Sequence, residues 1–567
     1  MSLPEQWLPR SIQSLRGYTA SQFGHDVVAG LTVGLVALPL AMGFGIASGV
    51  TPQAGLYTAV IAGFLISALG GSRTQIGGPT GAFVVIVAGI VARFGMSGLA
   101  LVTVMAGALL IVMGLTGFGA AVKFIPRPVT IGFTNGIALL IASTQIKDFL
   151  GLKTLAVPSD FIGRMKVLLA HMGTIDSRTL AVGTASLAII VLLRKFSPRI
   201  PGAIVSLLVC TVAVVWLRVP VETIGTKFGG IPQGFPEFAW PHFNGAHVIP
   251  LLPSAFTVAM LAAVESLLSA VVADGMTGDR HNSNVELVAQ GVANLASPLF
   301  GGIPATGAIA RTATNIRSGG RTPIAGMIHA ATLLGILLVA APLARFVPLA
   351  SLSAVLFVVA YNMGEWREIR TILKLAKADI AVWLATFSLT VFADLTVAVG
   401  VGMALAALLY IYRIAQTTTV EPVTYEYLRE GQPHILQDKE IPADITILRI
   451  HGPFLFGTTE QLTEATKDLE MFERIVILRL RNMTALDATG LHAIEQFADR
   501  LHGTGRVLLL CGARSQPAKL LRQAEFVRHI GEGNILPHVQ AALERARLLH
   551  TEMSSRQASE SPAEVSH

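Results

Sequence analysis

Gly77 to Phe83 reads GGPTGAF, and it lies where an apolar run should continue as a membrane helix. Three glycines and a proline are poor residues for the middle of such a helix. A second stretch, GGIPATGAIA from Gly301 to Ala310, repeats the pattern: Gly-Gly, a proline, then Thr-Gly-Ala. Two breaks of one kind, far apart in the chain, point to a shared structural purpose.

The surroundings fix what is being broken. The chain has 567 residues, 52% hydrophobic and 14% charged, against about 25% charged for soluble proteins. No Asp, Glu, Lys, Arg or His occurs from Val27 to Ser72, Thr74 to Ala92, Phe94 to Val122 or Val129 to Ile146. Each run is near or beyond the roughly 20 apolar residues that cross a bilayer. The lipid bilayer is therefore the solvent for most of the chain. The net charge of +7 is read as cytoplasmic Lys and Arg rather than as a nucleic-acid surface.

Fourteen apolar segments are expected: 26–48, 53–70, 78–92, 98–121, 128–147, 179–195, 202–218, 252–274, 284–300, 305–317, 322–344, 347–363, 379–393 and 395–413. The last boundary falls near Asp394. Inner loops would hold Arg73, Lys123, Arg127, Arg194, Lys195, Arg199, Arg317, Arg321, Arg367, Arg370, Lys374 and Lys377, and outer loops Arg93 and Arg345. This bias puts both termini in the cytoplasm. The broken segments are third and tenth. A seven-segment unit followed by its copy must be inverted, and inverted repeats with matching broken helices mark secondary transporters.

A half-helix that starts inside the membrane presents unpaired N–H groups and about half a positive charge. Two facing starts make an anion site. Gly77, Gly78, Pro79, Gly301, Gly302, Pro304, Thr306 and Gly307 are the helix-breaking residues. Pro79 is expected to start a helix, Thr80 and Thr306 to cap it or bind ligand, and Gly81 and Gly307 to admit an anion to the backbone. The alternative use of such glycines is close helix packing. Arg311, one residue beyond the second stretch, would add positive field behind the anion, or be satisfied by carbonyls. Glu265 lies mid-segment, with Ser269 at i+4 on the same face. It is open to three roles: proton carrier, sodium ligand, or ion-pair partner of Arg311. Asp274, Asp279 and Arg280 read as a solvated inner loop, Asn135 and Gln145 as interhelical hydrogen-bond partners or a gate contact, and His329 as a satisfied polar residue rather than a proton relay.

From Asp444 short apolar strands alternate with helices, which predicts a compact α/β domain. The expected division is 1–25, a cytoplasmic N-terminus without a signal peptide; 26–416, the membrane domain; 417–440, a linker; 441–550, the α/β domain; and 551–567, a disordered tail. Cys210 and Cys511 fall in different domains and support neither a disulfide framework nor a metal site. No phosphate-binding loop or catalytic constellation occurs, so an enzyme or ATP-driven pump is not expected, and no cofactor beyond a coupling proton or sodium ion.

DVVAGLTVGLVALPLAMGFGIASGVTPQAGLYTA, GGSRTQIGGPTGAFVVI, VESLLSAVVADGMTG and GGIPATGAIARTATNIRSGGRTPIAG resemble the sulfate permease (SulP) family of anion transporters. LRNMTALDATGLHAIEQF resembles that family's sulfate-transporter and anti-sigma-antagonist (STAS) domain. The resemblance implies seven plus seven inverted spans in core and gate domains, a homodimer, and a STAS domain open to a cytoplasmic partner. It implies an anion between Thr80, Gly81, Ala82, Ala310 and Arg311, with Leu40 and Phe44 of the first span beside it. Leu40 stands where some members carry a polar or acidic residue. Glu265 and Ser269 match the cation position of sodium-coupled bicarbonate carriers, which use Asp there. Thr489, in Asp487-Ala488-Thr489-Gly490, matches a phosphorylated Ser or Thr of STAS relatives, or is a helix cap. VVADGMTG and TQIKDFLGL are most similar to bacterial four-carbon dicarboxylate carriers. The expectation is an inner-membrane secondary transporter for a dicarboxylate with proton symport. The alternative is a sodium- or proton-coupled bicarbonate or sulfate carrier. An anion channel, or a sensor that signals through its STAS domain, is the alternative of another class.

Overall fold

Each predicted apolar segment carries a helix, because a backbone with no water beside it must satisfy its own hydrogen bonds. The computed structural model describes residues 7–119, 126–154, 157–158, 160–197, 200–240, 248–393, 395–423 and 444–560. Asp394, Lys123, Arg199 and stretch 424–440 of the expected linker lie outside these residues. The helices are α1 Arg10–Leu15, α2 Ala20–Ala47, α3 Pro52–Leu69, α4 Val84–Leu115, α5 Arg127–Leu150, α6 Phe161–Ala170, α7 Ser177–Phe196, α8 Gly202–Trp216, α9 Ile224–Phe228, α10 Val248–Thr277, α11 Ser283–Ala296, α12 Ile309–Arg317, α13 Pro323–Ala344, α14 Leu349–Met363, α15 Trp366–Ile372, α16 Lys377–Phe392 and α17 Leu395–Thr417. Among the described residues nine helical runs are long and apolar enough to cross a membrane. One of them, Gly81–Leu115, holds both the third and fourth predicted segments. They part at Gly95, where φ of +67° turns the chain in a way few side chains permit. Segment two ends at Gly70, where the backbone turns extended, segment nine at Gly301, which is left-handed, and segment ten at Arg317, before the turn at Ser318.

The chain divides into two units, 1–406 and 407–567. In the first, α2, α3, α4, α10, α11, α12 and α13 pack together, while α5, α7, α8, α14 and α16 form a second group. The packing repeats under a shift of seven segments: α2 on α13 is matched by α10 on α4, and α3 on α13 by α11 on α4. This is the two-halved arrangement expected from the sequence echo. Small residues permit the closest approaches. A Cβ on Gly55 of α3 would lie 1.9 Å from the Ala41 carbonyl oxygen of α2.

The Asp26 carboxylate, fully buried on α2, holds the start of α13. It accepts from Arg321 N at 2.9 Å, Thr322 N at 3.2 Å and the Tyr18 hydroxyl at 2.8 Å. Burial, then Asp26 itself, push the Tyr18 phenol up to about 12, so it remains a donor at physiological pH.

The second unit is a five-stranded sheet in the order β3-β4-β5-β6-β7, made of β3 Thr419–Pro422, β4 Ile445–Phe454, β5 Ile475–Leu486, β6 Val507–Cys511 and β7 Ile535–Leu536. β3 is antiparallel to β4 and the remaining pairs are parallel. Parallel strands are buried on both faces. Leu448, Leu478 and Leu510 pack on one side with Ile494 and Phe497, and Ile447, Ile477 and Leu509 on the other with Ala542 and Leu543. Two boundaries differ from expectation. Thr419–Pro422, inside the expected linker, is an edge strand of this sheet. The last helix, Val539–Glu560, continues past Thr551 into the segment expected to be disordered. TEMSSRQASE contains enough good helix formers to extend it.

Candidate anion site

The two broken stretches meet. Gly77–Gly78 forms β1 and Thr306–Gly307 forms β2, and they pair antiparallel with Gly77 opposite Gly307 and Gly78 opposite Thr306. Past the pair, a short 3₁₀ turn at Gly81–Phe83 leads into α4, and Ile309 opens α12. Neither start has a side-chain cap on its N-terminal N–H groups.

Buried backbone carbonyls and N–H groups just before the two strands are satisfied by polar side chains. Ile303 N donates to Thr58 Oγ1 at 2.7 Å, and Ala305 N to Asn294 Oδ1 at 2.9 Å. Ile76 N donates to Thr312 Oγ1 at 3.0 Å, and Asn315 Nδ2 to Thr74 O at 2.8 Å. Thr58, Asn294, Thr312 and Asn315 are all fully buried. Sequence reasoning missed them. Their signal was polar residues inside apolar segments, which need partners when buried.

The predicted residues take different places. Thr80 occupies the N-cap position before Gly81, but its hydroxyl donates to Glu265 Oε2 at 2.8 Å instead of capping. Pro79 is not the helix start expected; it lies before the cap, and its carbonyl accepts from Arg311 Nη2. Thr306 is in β2, and its hydroxyl donates to Ala262 O at 2.9 Å. The second helix is instead entered through Ala308, so matching Thr-Gly-Ala letters are two residues out of step with the helix starts. Gly307 has no room for ligand: a Cβ there would lie 1.7 Å from Gln75 Nε2. Gly301 has φ of +70° at the end of the turn after α11, and Gly302 sits against Ser297. Pro304 is buried in the extended stretch that follows.

Arg311 is buried and directed at the first stretch, with Nη1 3.5 Å from Gly77 O and Nη2 on Pro79 O. Carbonyls satisfy it, and its charge still lies within electrostatic reach of Glu265. Glu265 is half-buried, whereas Ser269 is fully buried with its hydroxyl 3.1 Å from Thr312 Oγ1. The two therefore face different residues of the site. Ala82, Leu40 and Phe44 are buried in one apolar cluster. Ala310 is exposed, as is Ile309 before it, so the start of α12 is uncovered while that of α4 is covered.

Other expectations are settled nearby. Asp274 is not simply a loop residue: its carboxylate accepts from His281 Nδ1 at 2.7 Å, and His281 Nε2 lies 2.9 Å from Ser283 Oγ. Asp279 pairs with Arg73 at 3.1 Å, and Arg280 contributes its carbonyl to Arg10. Gln145 donates to neighbouring Thr144 rather than across helices, and no partner is found for the Asn135 amide among the described residues. His329 is fully buried on α13, and neither ring nitrogen has a hydrogen-bond partner among the described residues, so it is not the satisfied polar residue expected. In the second unit Asp487, not Thr489, caps the helix Ala488–Gly503 by accepting from Gly490 N at 2.8 Å; Thr489 is exposed beside it.

A helical membrane protein in two interlocked halves, with uncapped half-helix starts at the crossing, has the fold of a secondary anion transporter. The family model of the sulfate permease family matches residues 23–386, and that of the STAS domain residues 437–542. The chain belongs to the sulfate permease family and is an anion transporter of that kind. It is 41% identical over 525 residues to a putative sulfate transporter, YvdB, of Bacillus subtilis, covering 92% of this chain and 98% of that one. It is 31% identical over 547 residues to the bicarbonate transporter BicA of Picosynechococcus, covering 92% and 94%. The overall structure of SLC26A9 matches with a TM-score of 0.86 at 17% identity, over 97% of this chain and 94% of that one. The transmembrane domain of a cyanobacterial BicA matches with a TM-score of 0.62 at 33% identity, over 68% and 99%. These similarities correct one expectation. They run to sulfate and bicarbonate transporters, and the likeness to dicarboxylate carriers finds no support among them.

Proposed function

We propose that the chain carries a small inorganic oxyanion, bicarbonate or sulfate, by alternating access. The observation that carries this reading is the β1–β2 pairing, which sets two uncapped helix starts beside one crossing. The names of the relatives add support for the anion class. In this reading the anion sits on the N–H groups at Gly81 and Ala82 and at Ala310. The group containing α2, α4, α10 and α12 moves against the group containing α5 and α14. Glu265, joined to Thr80 and in reach of Arg311, holds the coupling cation, a proton or sodium. In the same reading the protein works in the inner membrane as a homodimer, with its STAS domain in the cytoplasm.

The test is uptake into proteoliposomes of labelled bicarbonate, sulfate and succinate, each with and without sodium and pH gradients. Saturable uptake of one inorganic anion, competed by the other and driven by one cation gradient, is the expected result. Flux at channel rates without competition would overturn the carrier reading.

A further inference from the structure

The covered helix start carries information about the size and charge of what can bind. A Cβ built on Gly81 would lie 2.7 Å from Ile141 Cδ1, 3.3 Å from Met363 Sδ and 3.3 Å from Phe44 Cε1. Ile141 is fully buried on α5, Met363 is half-buried at the end of α14, and Phe44 is buried on α2. Three apolar side chains from three helices thus wall in the backbone that would bind the anion. Two of them come from the opposing group of helices. The neighbouring polar contact is that of Thr80, whose hydroxyl donates to Glu265 Oε2.

We propose that Ile141 and Met363 are specificity-determining residues that restrict the site to compact anions. This inference rests on the anion site proposed above. A compact oxyanion keeps all its charge over the helix starts. A longer anion seated there would push its second carboxylate against Ile141, Met363 and Phe44. An ionised group buried against apolar atoms without a partner is strongly disfavoured. The wall thereby supplies a physical reason for a carrier of this family to refuse a four-carbon dicarboxylate, which the backbone dipoles alone do not supply.

The experiment measures inhibition of labelled bicarbonate and sulfate uptake by malonate and succinate in the full-length protein. Wild type and the variants Met363→Gln, Ile141→Ala, Met363→Leu and Met363→Phe are reconstituted side by side. Gln offers donors to a second carboxylate, and Ala at 141 makes space. In both, the ratio of dicarboxylate to inorganic-anion affinity should rise about tenfold, the scale on which pocket contacts discriminate. Met363→Leu keeps an apolar wall and should leave that ratio unmoved. Met363→Phe narrows the site and should weaken sulfate relative to bicarbonate, which keeps the proposal testable if a truncated variant fails to fold. An unchanged ratio in Met363→Gln and Ile141→Ala, with no shift in Met363→Phe, overturns the inference. Absence of saturable inorganic-anion uptake in the wild type would instead sink the proposed function.

Discussion

Glu265 and Thr80 join α10 to the start of α4 by one hydrogen bond of 2.8 Å. If Glu265 is ionised, that bond is charge-assisted, worth about 1.5–3 kcal/mol by comparison with similar bonds. Glu265→Gln keeps the shape and an acceptor but removes the charge. Uptake by this variant should no longer follow an imposed proton or sodium gradient, while anions still compete for the site. If its uptake tracks the gradient as in wild type, the coupling role is wrong. Thr80→Val should weaken anion affinity as well, because it releases the carboxylate toward the anion. At Cys511 the chemistry is simpler. Burial pushes this thiol up to about 11, against the smaller opposing influence of Arg479. At pH 8 its thiolate fraction in the folded state is about one in a thousand. Thiol reagents should therefore spare the native protein at Cys511 and react on unfolding; rapid native labelling of that residue would contradict its burial.

The elements show how much of this was legible beforehand. The helices were readable because charge-free runs near bilayer length have one economical structure. The STAS sheet was readable because its strands are apolar on both faces and alternate with helices. The crossing was legible only in part. GGPTGAF and GGIPATGAIA announced two breaks, and both breaks exist, but matching Thr80 to Thr306 misplaced the second helix start. Letters repeat with the sequence, whereas helix starts follow the partners available to each N–H and carbonyl. Those partners come from three separate helices, Thr58 on α3, Asn294 on α11, and Arg311 with Thr312 on α12, and no local pattern links them. Wall residues Ile141 and Met363 were invisible for the same reason: each is an ordinary apolar residue until another helix packs over Gly81. Close packing at glycines gives a sharp prediction at this scale. Gly55→Ala sets a methyl group 1.9 Å from the backbone oxygen of Ala41, and backbone cannot rotate away as a side chain can. The cost should be about 3 kcal/mol, at the upper end for overpacked cores. A lowered unfolding temperature or lost yield in detergent is the measure, and a variant as stable as wild type would show that α2 and α3 are further apart.

Alternating access in the membrane unit requires two groups of helices to move past one another, and α2 against α14 is a place to stop them. A Cβ on Gly43 of α2 would lie 3.1 Å from Leu356 Cγ and Cδ1 of α14. Leu356 Cγ marks about where a cysteine sulfur at that position would sit, so the two positions are close enough to be bridged. The native cysteines, Cys210 and Cys511, are both buried, so a new pair can be oxidised without much competition. The double variant Gly43→Cys, Leu356→Cys should form a bond under mild oxidant, detected by protection from maleimide labelling. Oxidation should stop uptake, and reduction should restore it, while each single variant stays insensitive to oxidant. The direction of the effect separates the mechanisms. A carrier whose anion changes sides by sliding one group against the other cannot work with α2 tied to α14. A pore that conducts through a fixed structure can, so undiminished flux through the cross-linked protein would exclude alternating access at this interface.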